Sequence, residues 1–251
     1  MKLTKDHNFL VAAHRGDSYN FYENTIPAFE LAIERGCHMV ETDVRLTRDG
    51  ILVLMHDESC KRTTGVDVTV TESTYGELQK LNAGDKNNPT KIPTLEELLI
   101  LIKKQDIMLN LEIKEYYSEE NAERVHVCVD KCVELIEKYG MAEKMVFNSF
   151  DAYVLEYIHK KYNGRYKLHG FYPYSIMKNV AEDPDEYLYC ACIFADKFKE
   201  NYDYLIERGI EPWVGAGVTV KEHLALCLEY GARLITTNNT ADILTKLQEL
   251  K

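Results

Sequence analysis

Residues 12–57 read AAHRGDSYNFYENTIPAFELAIERGCHMVETDVRLTRDGILVLMHD, and three short apolar runs in and around this stretch decide how the whole chain is read. The first, FLVAA, overlaps its start and runs into His14-Arg15-Gly16. The second, HMVETDV, carries Glu41 and Asp43. The third, ILVLM, ends in His56-Asp57. Two imidazoles and two carboxylates thus sit at or near the ends of strand-like runs, where side chains from different strands converge. Between the first two runs, Thr25 before Ile26-Pro27 is a cap followed by an early proline, and Gly36 stands where a helix should stop. Strand, helix and strand in succession predict parallel pairing.

The same alternation continues outward. Strands are predicted at Phe9–Ala13, His38–Val44, Met108–Lys114, Lys144–Ser149, Tyr166–Phe171, Leu188–Phe194, Glu211–Gly215 and Arg233–Thr236. Helices are predicted at Ile26–Arg35, Leu95–Lys104, Glu119–Tyr139, Ala152–Tyr162, weakly near Ser175–Val180, and at Tyr202–Arg208, Val220–Tyr230 and Ala241–Leu250. Thr94-Leu-Glu-Glu has the form of a capping box, and Gly140, Gly209 and Gly231 fall at helix ends. Eight strands each followed by a helix predict a (β/α)8 TIM barrel, since open doubly wound sheets usually have fewer strands. The length of 251 residues suits one such domain spanning the chain. A hairpin is expected from Leu46 to Leu54, turning at Arg48-Asp49-Gly50, and a polar insertion from Asp57 to Pro93. Loops at strand C-termini surround the mouth of a barrel, so the insertion is expected there, as a cap or as a surface embellishment.

Composition narrows the partners. A formal net charge of -11 argues against a broad nucleic-acid or anionic-membrane surface, which calls for basic patches. The apolar run near the N-terminus is shorter than a signal-peptide core, and no stretch approaches the ~20 residues of a membrane span. A cytoplasmic location without stable membrane association is therefore expected. Seven scattered cysteines, with neither a CxxC mate nor a nearby histidine pair, read as reduced core thiols.

Glu41 and Asp43 are two apart on a predicted strand, so both leave the same face. Carboxylates facing a barrel interior are costly unless a cation neutralises them. Glu112, near the end of the next predicted strand, completes a hard oxygen set suited to Mg2+ or Ca2+ rather than zinc. His14 and His56 flank this group, and an unperturbed pKa near 6.5 lets one imidazole act as base and the other as acid. Arg15 and Lys114 would form a receptor for an anionic group beside the metal, or would simply pair with the carboxylates. His169, at the end of the fifth strand, is placed either to face a ligand or to fill the core. There is no P-loop, G-x-G-x-x-G, G-x-S-x-G or helical H-E-x-x-H.

With these residues in place, the chain resembles the glycerophosphodiester phosphodiesterases. The matching pieces are His14-Arg15-Gly16, Glu23-Asn24-Thr25, Glu41-Thr42-Asp43-Val44, Thr47-Arg48-Asp49-Gly50, His56-Asp57, Arg62-Thr63-Thr64-Gly65, Ile92-Pro93-Thr94-Leu95-Glu96-Glu97, Glu112-Ile113-Lys114 and Ser149-Phe150, in the family's order. The resemblance implies a TIM barrel with a small insertion after the second strand and one divalent cation, Mg2+ or Ca2+, on Glu41, Asp43 and Glu112. It implies His14 and His56 as the acid/base pair and Arg15 and Lys114 as phosphate contacts. The substrate would be a small phosphodiester, giving glycerol 3-phosphate and an alcohol such as choline or ethanolamine. The chain departs from the family's pattern late: Trp213 is followed by Val214-Gly215-Ala216-Gly217 instead of Thr-Val-Asn, and Thr237-Asn238-Asn239-Thr240 replaces Thr-Asp-x-Pro. Trp213 is expected to wall the glycerol carbons. Two alternatives stand beside this reading: a phospholipase D or lyase type enzyme acting on lysophospholipids, and a non-catalytic barrel that binds a phosphorylated ligand.

Overall fold

The computed structural model describes residues 9–194 and 197–250. Among the described residues the strands are β1 (Leu10–His14), β2 (Met39–Leu46), β3 (Leu52–Leu54), β4 (Met108–Ile113), β5 (Met145–Asn148), β6 (Lys167–Tyr172), β7 (Cys190–Ile193), β8 (Glu211–Val214) and β9 (Leu234–Thr237). The helices are α1 (Ile26–Glu34), α2 (Lys61–Thr64), α3 (Tyr75–Leu78), α4 (Leu95–Ile102), α5 (Ala122–Lys138), α6 (Ala152–Lys161), α7 (Lys199–Glu207), α8 (Lys221–Glu229) and α9 (Thr240–Gln248).

All strands except β3 run parallel, and β1 pairs with both β2 and β9, which closes an eight-stranded barrel. This is the (β/α)8 TIM barrel expected from the alternation. The strand period of two separates the faces. Outward residues such as Val11, Val40, Leu109, Leu111, Phe147 and Ile235 join the helices in the main apolar core. Inward, Leu10, Ala12, Met39, Met108, Val146, Cys190, Trp213 and Leu234 fill the lower part of the barrel. Burying a side chain of Val, Leu or Phe size contributes about 1.5–3 kcal/mol, so both faces matter. Higher on the same inward face, β2 passes from Met39 to Glu41 and Asp43, and β4 from Met108 to Asn110 and Glu112. The interior therefore changes from apolar to polar toward the C-terminal ends of the strands.

Local signals explain the helix bounds. Thr94 and Glu97 form a reciprocal capping box at the start of α4, whose Leu95, Leu98, Leu99 and Ile102 are buried. Gly36, Gly140, Gly209 and Gly231 all have positive φ just past helix ends. One predicted helix is missing. Residues 175–180 do not form an α-helix; a 3-10 turn spans Tyr174–Ile176 instead. The backbone of Lys178 is committed elsewhere, donating to Phe150 O at 2.7 Å and accepting from Ala152 N at 2.9 Å, and Asn179 has a φ of 50°. A segment that pairs with the β5–α6 loop has no hydrogen bonds left for its own helix.

The hairpin forms as expected, Val44, Arg45 and Leu46 facing Leu54, Val53 and Leu52. The insertion behind it closes on a separate small core of Val53, Met55, Cys60, Val70, Leu78, Ala83 and Ile92, and includes the short helices α2 and α3, which periodicity did not reveal. No helix among the described residues is long and apolar enough to cross a membrane. All seven cysteines are buried and none is in a disulfide.

Candidate active site

A cavity of about 310 Å³ opens at the C-terminal end of the barrel. His14, Arg15, Glu41, His56, Glu112 and Lys114 all line it. Glu41, Asp43 and Glu112 converge so closely that one carboxylate oxygen from each lies within 4.8 Å of the others. The register makes this convergence: His14 pairs with Glu41 across β1 and β2, and Asp43 with Glu112 across β2 and β4.

Each of these side chains is held by a partner. Arg15 has a φ of 58°, and its backbone N–H donates to Glu41 Oε2 at 2.9 Å. The following Gly16, at φ 80°, passes so near α1 that a Cβ there would lie 2.7 Å from the Ala28 carbonyl carbon. Only glycine allows that turn. Asn24, also left-handed, donates to Asp43 Oδ2 at 2.8 Å and accepts from Thr42 Oγ1 at 2.8 Å. The Arg15 guanidinium pairs with Asp43 (3.2 Å) and Glu23 (3.1 Å). Lys114 Nζ lies 3.2 Å from Asp43 Oδ1 and also contacts Glu112 Oε1. The simple pairing anticipated for Arg15 and Lys114 is thus present, and both still face the cavity.

Burial and the neighbouring Asp43 charge push the Glu41 carboxyl well above the usual carboxylate range. Burial also raises Glu112, with Asp43 and Glu41 adding to the effect. Asp43 goes the other way: although burial disfavours its charge, Lys114, Arg15, His56 and Asn24 together hold it low. Burial alone would lower Lys114, but Glu112 and Asp43 outweigh it and raise the ammonium. Three buried carboxylates meet only two cations, so full ionisation of all three would leave one charge uncompensated, and Asp43 Oδ1 makes no hydrogen bond. An all-oxygen cluster whose carboxylates lack enough cations to ionise together fits a hard divalent cation.

The histidines differ in what stands behind them. His14 Nδ1 lies 2.6 Å from Asn238 Oδ1, which also accepts from Ser18 Oγ, and His14 Nε2 is 3.9 Å from Glu41 Oε2. His56 Nδ1 lies 2.6 Å from Asp57 Oδ1. Asp57 is held ionised at about 2, chiefly by Arg62, whose Nε is 2.5 Å away. Arg62 also forks onto Glu23, with two contacts of 2.7 Å. Burial lowers both imidazoles from their ordinary value, and Arg15 lowers His14 further.

The structure does not bring Trp213 to this group. It lies among the barrel's lower apolar residues, 1% exposed, with its ring 4.8 Å from His169 and its indole N–H directed to Glu211. The cavity is walled instead by Phe150, Phe171 and Phe194, whose rings stack nearly parallel. The inward step from Trp213 leads to Gly215, whose lack of a side chain leaves room for Phe194, 3.0 Å from where a Cβ would stand. No described residue from 57 to 93 lines the cavity, so the insertion stands beside the mouth rather than over it. Residue chemistry alone points to none of Asn24, Asp57, Arg62, Asn238 and the phenylalanines, although the family resemblance carries Asn24, Asp57, Arg62 and Phe150 in its matching pieces. Asn24 and Asp57 were within reach, one beside Glu23 and the other adjacent to His56.

The fold and this cluster define a TIM barrel with a buried acidic, metal-type site flanked by two histidines at its C-terminal rim. Residues 14–212 match the model of the Glycerophosphoryl diester phosphodiesterase family, and the chain belongs to that family. A glycerophosphodiester phosphodiesterase of Caldanaerobacter subterraneus subsp. tengcongensis is 40% identical over 159 residues, 60% of this chain and 62% of that protein. The match therefore spans less than two thirds of that relative's length. Among solved structures, a glycerophosphodiester phosphodiesterase from Thermotoga maritima superimposes with a TM-score of 0.74 at 27% identity, covering 96% of this chain and 99% of the other. A phosphodiesterase of Oleispira antarctica, in complex with its product sn-glycerol-3-phosphate, has the same fold, with a TM-score of 0.82 at 22% identity over 95% of this chain and 96% of that one.

Proposed function

We propose that the chain hydrolyses glycerophosphodiesters to glycerol 3-phosphate and an alcohol, with one divalent cation, Mg2+ or Ca2+, held by Glu41, Asp43 and Glu112. The observation that supports this best is the gathering of two histidines and two basic side chains around one buried acidic cluster at the barrel mouth. Without the ion, Glu41 and Glu112 tend to hold protons; a divalent ion would take the place of those protons and add positive charge facing the phosphodiester. When bound, it supplies positive charge at the phosphoryl oxygens.

The chain's own residues divide the remaining work. Arg15 and Lys114 stand beside the carboxylates as cations for the phosphoryl group, whose charge grows as the pentavalent transition state forms. His14 takes the proton from the attacking oxygen, which belongs to water or to the neighbouring glycerol hydroxyl; in the second case the alcohol leaves a cyclic phosphate, which water must then open to give glycerol 3-phosphate. The Nδ1–H of His14 is committed to Asn238, leaving the Nε2 lone pair on the side of Glu41. His56 gives a proton to the leaving alcohol, and the ionised Asp57 behind it favours the protonated ring. The three phenylalanines exclude water from one side. Seven buried cysteines, none in a disulfide, accord with a reducing, cytoplasmic setting.

The test is turnover of glycerophosphocholine, glycerophosphoethanolamine and a lysophospholipid, with products identified, before and after chelation and metal return. Metal-reversible release of glycerol 3-phosphate from the first two is expected. A cyclic phosphate from the lysophospholipid alone would point to the lyase type, and absence of turnover on all three to a binding barrel.

A further inference from the structure

The polar row on the inner face does not end at the acidic cluster. Register places Asp43 beside Glu112, Glu112 beside Asn148 and Asn148 beside His169, on four successive strands. Asn148 and His169 are 2% and 3% exposed and both line the cavity, yet Asn148 Oδ1 and His169 Nε2 have no hydrogen-bond partner. The other unpartnered buried atoms either belong to the acidic cluster (Arg15, Asp43) or do not line the cavity (Tyr187, Thr240). A buried polar group left without a partner costs about 1–3 kcal/mol, so two side by side facing one cavity mark a place where something binds.

The chemistry of the two atoms selects what that is. His169 Nδ1 faces Asn110 Oδ1 at 3.3 Å, which gives Nδ1 the proton and leaves Nε2 a lone pair. Burial pushes this imidazole down to about 3, so it is neutral at working pH. A neutral nitrogen lone pair and an amide oxygen both ask for a donor. Phosphate oxygens have none to give, whereas a hydroxyl donates and also accepts, so it suits the amide in either orientation. Core filling alone would be served better by an aliphatic residue than by two unpaired polar atoms.

We infer that Asn148 and His169 form a hydroxyl-binding subsite that receives the glycerol end of the ligand while the cationic side of the pocket holds the phosphoryl group. This rests on the phosphodiester reading above and adds how a polyol ester is told from a plain alkyl ester. The pair binds the substrate and moves no proton.

The experiment compares sn-glycerol 3-phosphate with n-propyl phosphate, which lacks both hydroxyls, by calorimetric binding to the full chain in saturating divalent ion. The wild-type chain is expected to prefer glycerol 3-phosphate by roughly 10–100-fold, the scale of one or two buried acceptors left unpaired. In Asn148→Ala and in His169→Leu the preference should fall to about threefold or less, with propyl phosphate binding little changed. The His169 Nε2 nitrogen resonance should move with glycerol 3-phosphate and stay in place with propyl phosphate. If His169→Leu does not fold, Asn148→Ala and the resonance still decide. Equal binding of both esters by the wild type, or a preference that survives both substitutions, overturns the subsite alone. Failure to bind either ester overturns the phosphodiester reading and the subsite with it.

Discussion

Chelation should make this protein less stable as the pH rises above neutrality. Glu41 and Glu112 are raised from 4.5 to about 8 and about 7, first by burial and then by neighbouring carboxylates. A carboxyl whose folded value is raised binds its proton more tightly in the folded chain, so it stabilises at low pH, and that stability is lost as the pH climbs through the folded value. For Glu41 the whole loss is on the order of 5 kcal/mol, and the coupled pair is not the sum of two such figures. Other groups act in the opposite sense, but at lower pH. His14, His56 and His169 have lowered values and gain stability up to about 6.5. Asp43, also lowered, destabilises only as the pH falls through the acid range below its unfolded value. The clean window is therefore pH 6.5 to 8, where the chelated protein should lose about 2 kcal/mol, a sizeable part of a typical 5–15 kcal/mol. A divalent ion needs the carboxylates deprotonated, so its own contribution grows with pH, reaching about 2.7 kcal/mol at a hundredfold excess over Kd. Urea unfolding followed by circular dichroism across this window, with chelator and with millimolar Mg2+ or Ca2+, measures both slopes. Glu41→Gln should flatten the chelated slope by more than half. A chelated stability that is constant or rises from pH 6.5 to 8 would refute the reasoning.

Three further outcomes are expected. His14→Ala and His56→Ala should each lower the rate of glycerol 3-phosphate release by at least ~100-fold, and near wild-type turnover by either would remove that residue from proton transfer. Asn238→Asp sets a carboxylate where the amide oxygen now lies 2.6 Å from His14 Nδ1; the His14 titration, followed by NMR, should move up by about one pH unit or more and carry the acid limb of the rate profile with it. Arg62→Met removes the main influence that holds Asp57 at about 2, so kcat should drop several-fold while unfolding by urea changes by less than about 1 kcal/mol, because the Arg62 side chain is half exposed.

The barrel was legible because its strands are short apolar runs of fixed spacing and its helices carry their own punctuation. All eight parallel strands fall within two residues of the predicted bounds, and the capping box at Thr94 forms as written. The helix expected near Ser175–Val180 failed because the backbone partners of Lys178 are Phe150 and Ala152 in a distant loop, which no local pattern records. The carboxylates and histidines could be read because strand ends in a barrel converge whatever the loops do. Trp213 misled for the complementary reason: a large aromatic next to an altered motif suggests a ligand wall, but the alternation along β8 turns it into the packed interior. The aromatic wall that does exist comes from three separate segments, and only closure of the barrel sets Phe150, Phe171 and Phe194 against one another.

The seam between the first and last strands has a consequence for how such a pocket can diverge. Every carboxylate, guanidinium and ammonium facing the cavity comes from residues 14–114, while residues 148–236 contribute the phenylalanines, Asn148, His169 and the small residues Gly215, Ala216 and Gly217. The reactive apparatus and the mould that shapes its guest thus occupy opposite arcs of one ring. Replacing side chains on the later arc retunes which head group enters without disturbing the charge balance of the earlier one. Asn238, just beyond the later arc, limits this independence, because it reaches back across the closure to His14 and lets a change there be felt by the apparatus.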